Sequence, residues 1–113
     1  MSESNCFALR RDDFQAMGGM DQRFTSAGGG LANLDLFNRA HAFDGITPTM
    51  LLGEATFHQF HGGVATNAPR DVHPWKRMVD EYRAIHGRDY AIEAVQPAYR
   101  GWLSPQYHRA LMP

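Results

Sequence analysis

The sequence has little cysteine, little net charge and no long hydrophobic run among its 113 residues. Because Cys6 is its single cysteine, the chain forms no internal disulfide, and we expect a cytoplasmic location, where thiols stay reduced. No segment approaches the roughly 20 apolar residues of a membrane span, and residues 1–5 lack the basic and apolar regions of a signal peptide. A formal net charge of −1 provides no general attraction to nucleic acid or to an anionic membrane.

The composition that remains is that of an ordinary globular domain. Hydrophobic residues make up 43% of the chain and charged residues 20%, which is enough apolar material for a modest core. No internal repeat divides the sequence. We therefore expect a single domain over residues 1–113.

The apolar patterns predict an α+β fold, with a small mixed sheet and two or three helices. Short apolar runs predict strands over residues 5–10, 49–52 and 55–60, and Gly53 separates the last two. Residues 88–103 are expected to be irregular. So small a sheet leaves exposed edges, which favours packing against a second copy or a partner chain.

The helices are predicted from apolar spacing and from the residues at their ends. A short helix, capped by Asp12 or Asp13, is expected to end at glycines 18 and 19. A longer helix is expected over residues 31–44 with Asn33 as its cap. The next begins at Pro74 and runs to about residue 85, and a short helix is predicted over 104–111.

A triple glycine, Gly28-Gly29-Gly30, precedes the longest predicted helix. Glycines before a helix N-terminus let an anionic ligand approach the backbone closely. The same residues also suit a flexible turn with no ligand. The glycines are not followed by the Gly-Lys-Ser/Thr ending of a phosphate-binding P-loop, so that class is excluded.

Two histidines, His58 and His61, lie in the aromatic segment 57–61 before a glycine pair. On a straight strand their side chains point to opposite faces, so they do not form a natural chelating pair. Imidazole is a common metal ligand, but two histidines need further ligands to make a site. The following loop, 64–70, carries Thr66, Asn67 and Arg70, which suit either phosphate binding or a solvated turn.

The order of these segments resembles the second, acceptor-side half of GT-A glycosyltransferases, including the family-2 enzymes and the C-terminal region of galactosyltransferases. The resemblance covers residues 4–66, and residues 67–113 would be a helical C-terminal extension. It is carried by an apolar segment with two arginines, by a Gly-Gly-x-Asp element, by a glycine-rich turn with an acidic residue and an Asp-x-x-x-Arg pair, and by a strand that ends in histidine: residues 5–14, 18–22, 28–35, 35–39 and 55–58.

The resemblance implies roles for individual residues. His58 matches the family histidine that completes a divalent metal site, which implies Mn²⁺ or Mg²⁺ as cofactor. Asp35 and Asn33 are the candidate catalytic residues. The candidate substrate contacts, for a nucleotide sugar and a carbohydrate acceptor, are Gly29, Gly30, Arg39 and His61. Arg39 also has the spacing to pair with a carboxylate on its own helix.

The sequence departs from the family in two places. The acid that serves as general base falls near Ala32 or Asn33, and neither accepts a proton as a carboxylate does. Either Asp35 takes that role, or the reaction is retaining, or catalysis is lost. The sequence also contains no Asp-x-Asp motif, and a fragment that lacks the nucleotide-binding half is expected.

Three functions remain open from the sequence. The first is a glycosyltransferase-related domain whose missing half comes from an oligomer or a partner chain. The second is a non-catalytic domain that recognises a carbohydrate or a protein through aromatic residues: Trp75, Tyr82, Tyr99, Trp102 and Tyr107. The third, weaker function is a small hydrolase that uses Asp35 and His61.

Overall fold

The computed structural model describes residues 7–54, 64–65, 68–94 and 96–106. In these residues three α-helices and a two-stranded parallel sheet form an α+β fold, which confirms the predicted class. The elements, in chain order, are α1 (Arg11–Ala16), a 3₁₀ turn (Ala27–Gly29), α2 (Ala32–Ala42), β1 (Thr49–Leu52), α3 (Trp75–His86) and β2 (Ala98–Gly101).

The first three predicted helices are present, but the predicted caps of the first two are wrong. The helix predicted over residues 104–111 lies mostly outside the described residues. Arg10 precedes α1 and Leu31 precedes α2, and neither side chain makes a capping hydrogen bond. Asp12 and Asp13 instead lie in the first turn of α1, where a negative charge interacts favourably with the helix dipole. Asn33 lies inside the first turn of α2, one residue beyond its start.

Helix α3 follows its sequence signals closely. Pro74 is its N-cap, and Gly87 ends it with a left-handed backbone at φ 67°. The amide of Gly87 donates a hydrogen bond of 2.8 Å to the carbonyl of Arg83, which closes the last turn. Glycine adopts this conformation without the steric penalty of a Cβ atom.

The sheet was predicted only in part. Strand β1 has the predicted bounds, and it pairs in parallel with β2, where Met50 lies beside Tyr99. The prediction that residues 88–103 are irregular is wrong for β2, which sequence patterns miss because it is short and mostly exposed. Residues 7–10 do not form the predicted strand, and residues 55–60 lie outside the described ranges.

The core lies between α2 and α3. Leu31, Met78 and Tyr82 are buried against one another, and Phe24 and Tyr90 pack on this cluster. The buried Asn38 fastens the chain after α3, because its amide donates to the carbonyl of Ala91 at 2.8 Å. In the part of the chain that the structure describes, no helix is long and apolar enough to cross a membrane.

Candidate functional site

Arg39 joins two segments that are distant in the sequence. Its Nε donates to Oδ2 of Asp35 at 2.7 Å, one turn earlier on α2. Its two terminal nitrogens donate to the carbonyls of Met17 at 2.9 Å and Gly19 at 2.8 Å, in the turn after α1. The guanidinium therefore fixes the glycine turn against the acidic face of α2, and the predicted pairing within the helix is confirmed.

Asp35 is buried on the same face of α2, with 2% of its surface exposed. Its second oxygen, Oδ1, lies 3.1 Å from Nε2 of His86, at the end of α3. The two atoms are not in hydrogen-bond geometry, and Nε2 is buried with no hydrogen-bond partner in the part of the chain that the structure describes. Two lone pairs at this separation repel each other unless a proton or a cation lies beside them.

Asp21 completes the group from the loop between α1 and α2. The Arg23 side chain donates to both oxygens of this carboxylate, from Nε to Oδ1 at 3.0 Å and to Oδ2 at 3.1 Å, and from Nη2 to Oδ2 at 2.6 Å. The backbone amide of Arg23 also donates to Oδ1, at 3.0 Å. Hydrogen bonds from the Arg23 side chain and backbone lower the pKa of Asp21 to about 2. Arg23 also donates to the carbonyl of Ile85 at 3.2 Å, which ties this loop to α3.

The oxygens of Asp21 and Asp35 and a ring nitrogen of His86 lie within 4.8 Å of one another. Ligands bound at about 2.1 Å stand about 3 Å apart when adjacent and about 4.2 Å apart when opposite. The 3.1 Å between Asp35 and His86 matches an adjacent pair. Two carboxylates and an imidazole suit Mn²⁺, Zn²⁺ or a similar divalent ion, so the triad is a possible metal site.

An open cleft of about 360 Å³ lies beside this triad. Its walls are the turn after α1 and two side chains from the other elements, Arg39 and His86. Asp21 and Arg23 also line it, while Asp35 contacts the lining through Arg39 and His86. A ligand in the cleft therefore meets two cationic side chains, one carboxylate and one imidazole.

A second polar contact lies at the glycine-rich turn. Oε1 of Glu81 accepts hydrogen bonds from the amides of Thr25 and Ser26, at 2.8 and 2.9 Å, and from the Thr25 hydroxyl at 3.1 Å. Oε2 is buried, has no hydrogen-bond partner among the described residues, and faces Gly30. Burial raises the pKa of the Glu81 carboxyl, but the hydrogen bonds from Thr25 and Ser26 outweigh burial and lower it overall.

The structure brings together only some of the predicted site residues. Asp35 and Arg39 contact each other directly beside the cleft. Asn33 is exposed on the first turn of α2, and neither it nor Gly29 or Gly30 lines the cleft. The predicted ligand His58 and the predicted contact His61 lie outside the described residues.

Sequence reasoning missed His86, Arg23 and Glu81 as site residues. His86 lies in the last turn of α3, where only 19% of its side chain is exposed. The available signal was its spacing, four residues after Tyr82, which places both rings on the buried face of α3 at 4.5 Å. Arg23 and Glu81 act through contacts 55 to 62 residues away, for which the sequence holds no signal.

Comparison of the chain with family models, with curated proteins and with solved structures found no match. The resemblance to GT-A glycosyltransferases therefore stays a prediction from the sequence. What the structure adds is the geometry around Arg39 and the possible metal triad.

Proposed function

We propose that the chain is a glycosyltransferase-related domain that contributes acceptor and metal contacts to sugar transfer from a nucleotide sugar to a carbohydrate. The nucleotide-binding half would come from another segment, a second copy or a partner chain. The observation that carries this proposal is Arg39, which bonds Asp35 and the carbonyls of Met17 and Gly19 at 2.7 to 2.9 Å.

This contact supports the proposal because it unites two elements of the resemblance. The Gly-Gly-x-Asp element and the Asp-x-x-x-Arg pair were identified separately, and a chance match gives no reason for them to meet. Here the second terminal nitrogen of Arg39 reaches Gly19, and the triad joins Asp21 to Asp35. Both elements therefore lie around one cleft that is open to a ligand.

In this proposal the cation is Mn²⁺ or Mg²⁺, and Asp21, Asp35 and His86 are the described residues that would hold it. When bound, such a cation offsets the charge on a departing diphosphate. Mn²⁺ is the better fit of the two, since imidazole suits it more than it suits Mg²⁺.

Asp35 then acts as an anchor and ligand rather than as general base. A base needs an oxygen that an acceptor hydroxyl reaches, but Oδ2 accepts from Arg39 and Oδ1 faces His86. Asn33 is exposed and able to contact an acceptor, yet its amide does not take up a proton. The described residues are therefore more consistent with a retaining reaction or with a base from the missing half.

Calorimetric titration with UDP and with GDP tests the proposal, first with Mn²⁺ and then with EDTA. The expected result is nucleotide binding that requires Mn²⁺ and that is lost in His86→Gln. His41→Gln is the matched control, because His41 lies on α2 and bonds the carbonyl of Phe37 instead. Binding of neither nucleotide at millimolar concentration contradicts the proposal for this chain alone and for its homo-oligomer.

The alternative is a non-catalytic carbohydrate-binding domain, which the exposed aromatic residues favour. Trp102 is 73% exposed, and Tyr99 and Trp75 are about half exposed. Flat exposed rings of this kind stack on sugar rings, whereas Tyr82 is buried in the core and is excluded. Binding of an oligosaccharide without metal would favour this function over the first. That binding should be weaker in Trp102→Ala and unchanged in His86→Gln.

A further inference from the structure

We infer that Asp21, Asp35 and His86 form a divalent-cation site that Arg23 blocks in the free protein. The inference deepens the metal contact of the proposed function and rests on it only for the presence of a cation. It starts from the charges around the triad. Asp21 and Asp35 carry two negative charges, and Arg23 and Arg39 already balance them.

The two arginines are not equivalent. Arg39 takes one oxygen of Asp35 and is held by two backbone carbonyls, with 29% of its side chain exposed. Arg23 takes both oxygens of Asp21, and 61% of its side chain is exposed. Its only other hydrogen bond within the described residues is the 3.2 Å contact with Ile85. Arg23 is therefore the more exposed of the two, and moving it breaks one backbone contact where moving Arg39 breaks two.

The remaining two ligands are in place without Arg23 moving. Within the described residues, Nε2 of His86 is buried without a hydrogen-bond partner, 3.1 Å from Oδ1 of Asp35. This separation is that of two adjacent ligands of one ion, and either a proton on Nε2 or a shared cation accounts for it. A divalent ion would bind both atoms once Asp21 is free to turn its oxygens toward it.

Arg23 and a metal ion cannot bind Asp21 together, because both need the same lone pairs of its carboxylate oxygens. The positive charges of the guanidinium and the ion also repel each other. Removal of Arg23 leaves the triad with one uncompensated negative charge. The cation affinity of the triad should then rise, although the protein has lost a residue of its own site. In the proposed transferase, an anionic ligand that pairs with Arg23 in the cleft would have the same effect as its removal.

The test measures the binding of Mn²⁺ without nucleotide. Binding is monitored through the decrease of the free Mn²⁺ signal in electron paramagnetic resonance. Arg23→Gln and, independently, Arg23→Met are expected to bind Mn²⁺ about tenfold or more tightly than the unaltered protein. Arg77→Gln removes the same charge from an exposed position on α3 and is expected to change nothing. The gain should disappear when His86→Gln is added to Arg23→Gln and persist when His41→Gln is added.

Folded Arg23 variants that bind Mn²⁺ no better than the unaltered protein overturn the inference. A gain that survives His86→Gln also overturns it, because the ion then binds elsewhere. Since no nucleotide is used, these results are separate from those of the UDP and GDP titrations. A gain of Mn²⁺ binding without nucleotide binding would leave the cation site standing and contradict the transferase role of this chain alone and of its homo-oligomer.

Discussion

Oε2 of Glu81 faces the backbone of Gly30 so closely that a Cβ atom at position 30 would lie 2.8 Å from it. The carboxylate cannot simply withdraw, because its other oxygen accepts two amide hydrogen bonds and one hydroxyl hydrogen bond from residues 25 and 26. Gly30 also has backbone angles of φ 55° and ψ −126°, which residues other than glycine rarely adopt. Helix α3 and the start of α2 are thereby joined through a position where only glycine fits.

Gly30→Ala should therefore destabilise the protein more than Gly29→Ala, the matched control. Both glycines have positive φ, so both substitutions carry a backbone cost of at least about 1–2 kcal/mol, and the cost is larger at Gly30, whose ψ of −126° lies outside the left-handed helical region. Among the described residues, position 30 adds crowding from Glu81 and from Ser26 at 3.1 Å, whereas nothing lies within 4 Å of a Cβ atom at position 29. Urea unfolding should give Gly30→Ala the larger loss by at least about 1 kcal/mol, and equal losses would contradict the contact.

Glu81→Ala should destabilise the fold by about 2 kcal/mol, because it leaves the amides of Thr25 and Ser26 without their acceptor. Glu81→Gln keeps an acceptor oxygen in place and should lose about half as much. The order of the two losses, measured by urea unfolding, is the informative result. If Gln and Ala cost the same, the hydrogen bonds to Oε1 do not hold the loop.

Asp35→Asn should destabilise the protein by about 3 kcal/mol, since it removes the partner of a partly buried arginine. The matched control is Asp89→Asn, which removes a carboxylate from Arg83 at the surface, where 70% of the Asp89 side chain is exposed. An exposed pair contributes at most about 1 kcal/mol. Similar losses for the two variants would show that the contacts of Arg39 do not organise the turn after α1.

The Asp21–Arg23 pair should stabilise the protein only above strongly acidic pH. Arg23 lowers the pKa of Asp21 to about 2, below the value of about 3.9 expected in the unfolded chain. A carboxyl with a lowered pKa contributes fully above its unfolded value, and the contribution is lost as pH falls through the folded one. The difference in unfolding free energy between the unaltered protein and Arg23→Gln should therefore be constant near neutral pH and shrink from about pH 4 to pH 2.

The same difference measured in Arg77→Gln provides the control. Arg77 is exposed on α3 and forms no ion pair within the described residues, so its removal should give no loss between pH 4 and pH 2. A difference for Arg23→Gln that is as large at pH 2 as at pH 7 would contradict the assignment of the pair to Asp21.

Local signals in the sequence predicted three helices and strand β1 well. Pro74 and Gly87 mark the ends of α3 because their backbone preferences hold in any context. The predicted caps at Asp12, Asp13 and Asn33 are wrong, because α1 begins at Arg11 and α2 begins at Ala32, before each of these residues. Strand β2 was missed because its pairing with β1 joins residues 49 apart, such as Met50 and Tyr99, and no local pattern encodes such a pairing.

The candidate site was predictable only where its residues share an element. Asp35 and Arg39 stand four apart on α2, so their pairing follows from helix geometry. His86 reaches Asp35 through the packing of α3 on α2, which depends on the whole core. Whether His58 and His61 approach this site stays a prediction, as both lie outside the described residues.

The central claim is that the glycine turn, α2 and α3 together hold a cation when a nucleotide is present. Paramagnetic broadening by Mn²⁺ in the nuclear magnetic resonance spectrum of the amides tests it most directly, with and without UDP. The account predicts that Mn²⁺ with UDP first broadens the signals of Asp21, Asp35 and His86, and that Mn²⁺ alone does so only after Arg23→Gln. Broadening that never selects these three residues, in the presence of both ligands, would contradict the account.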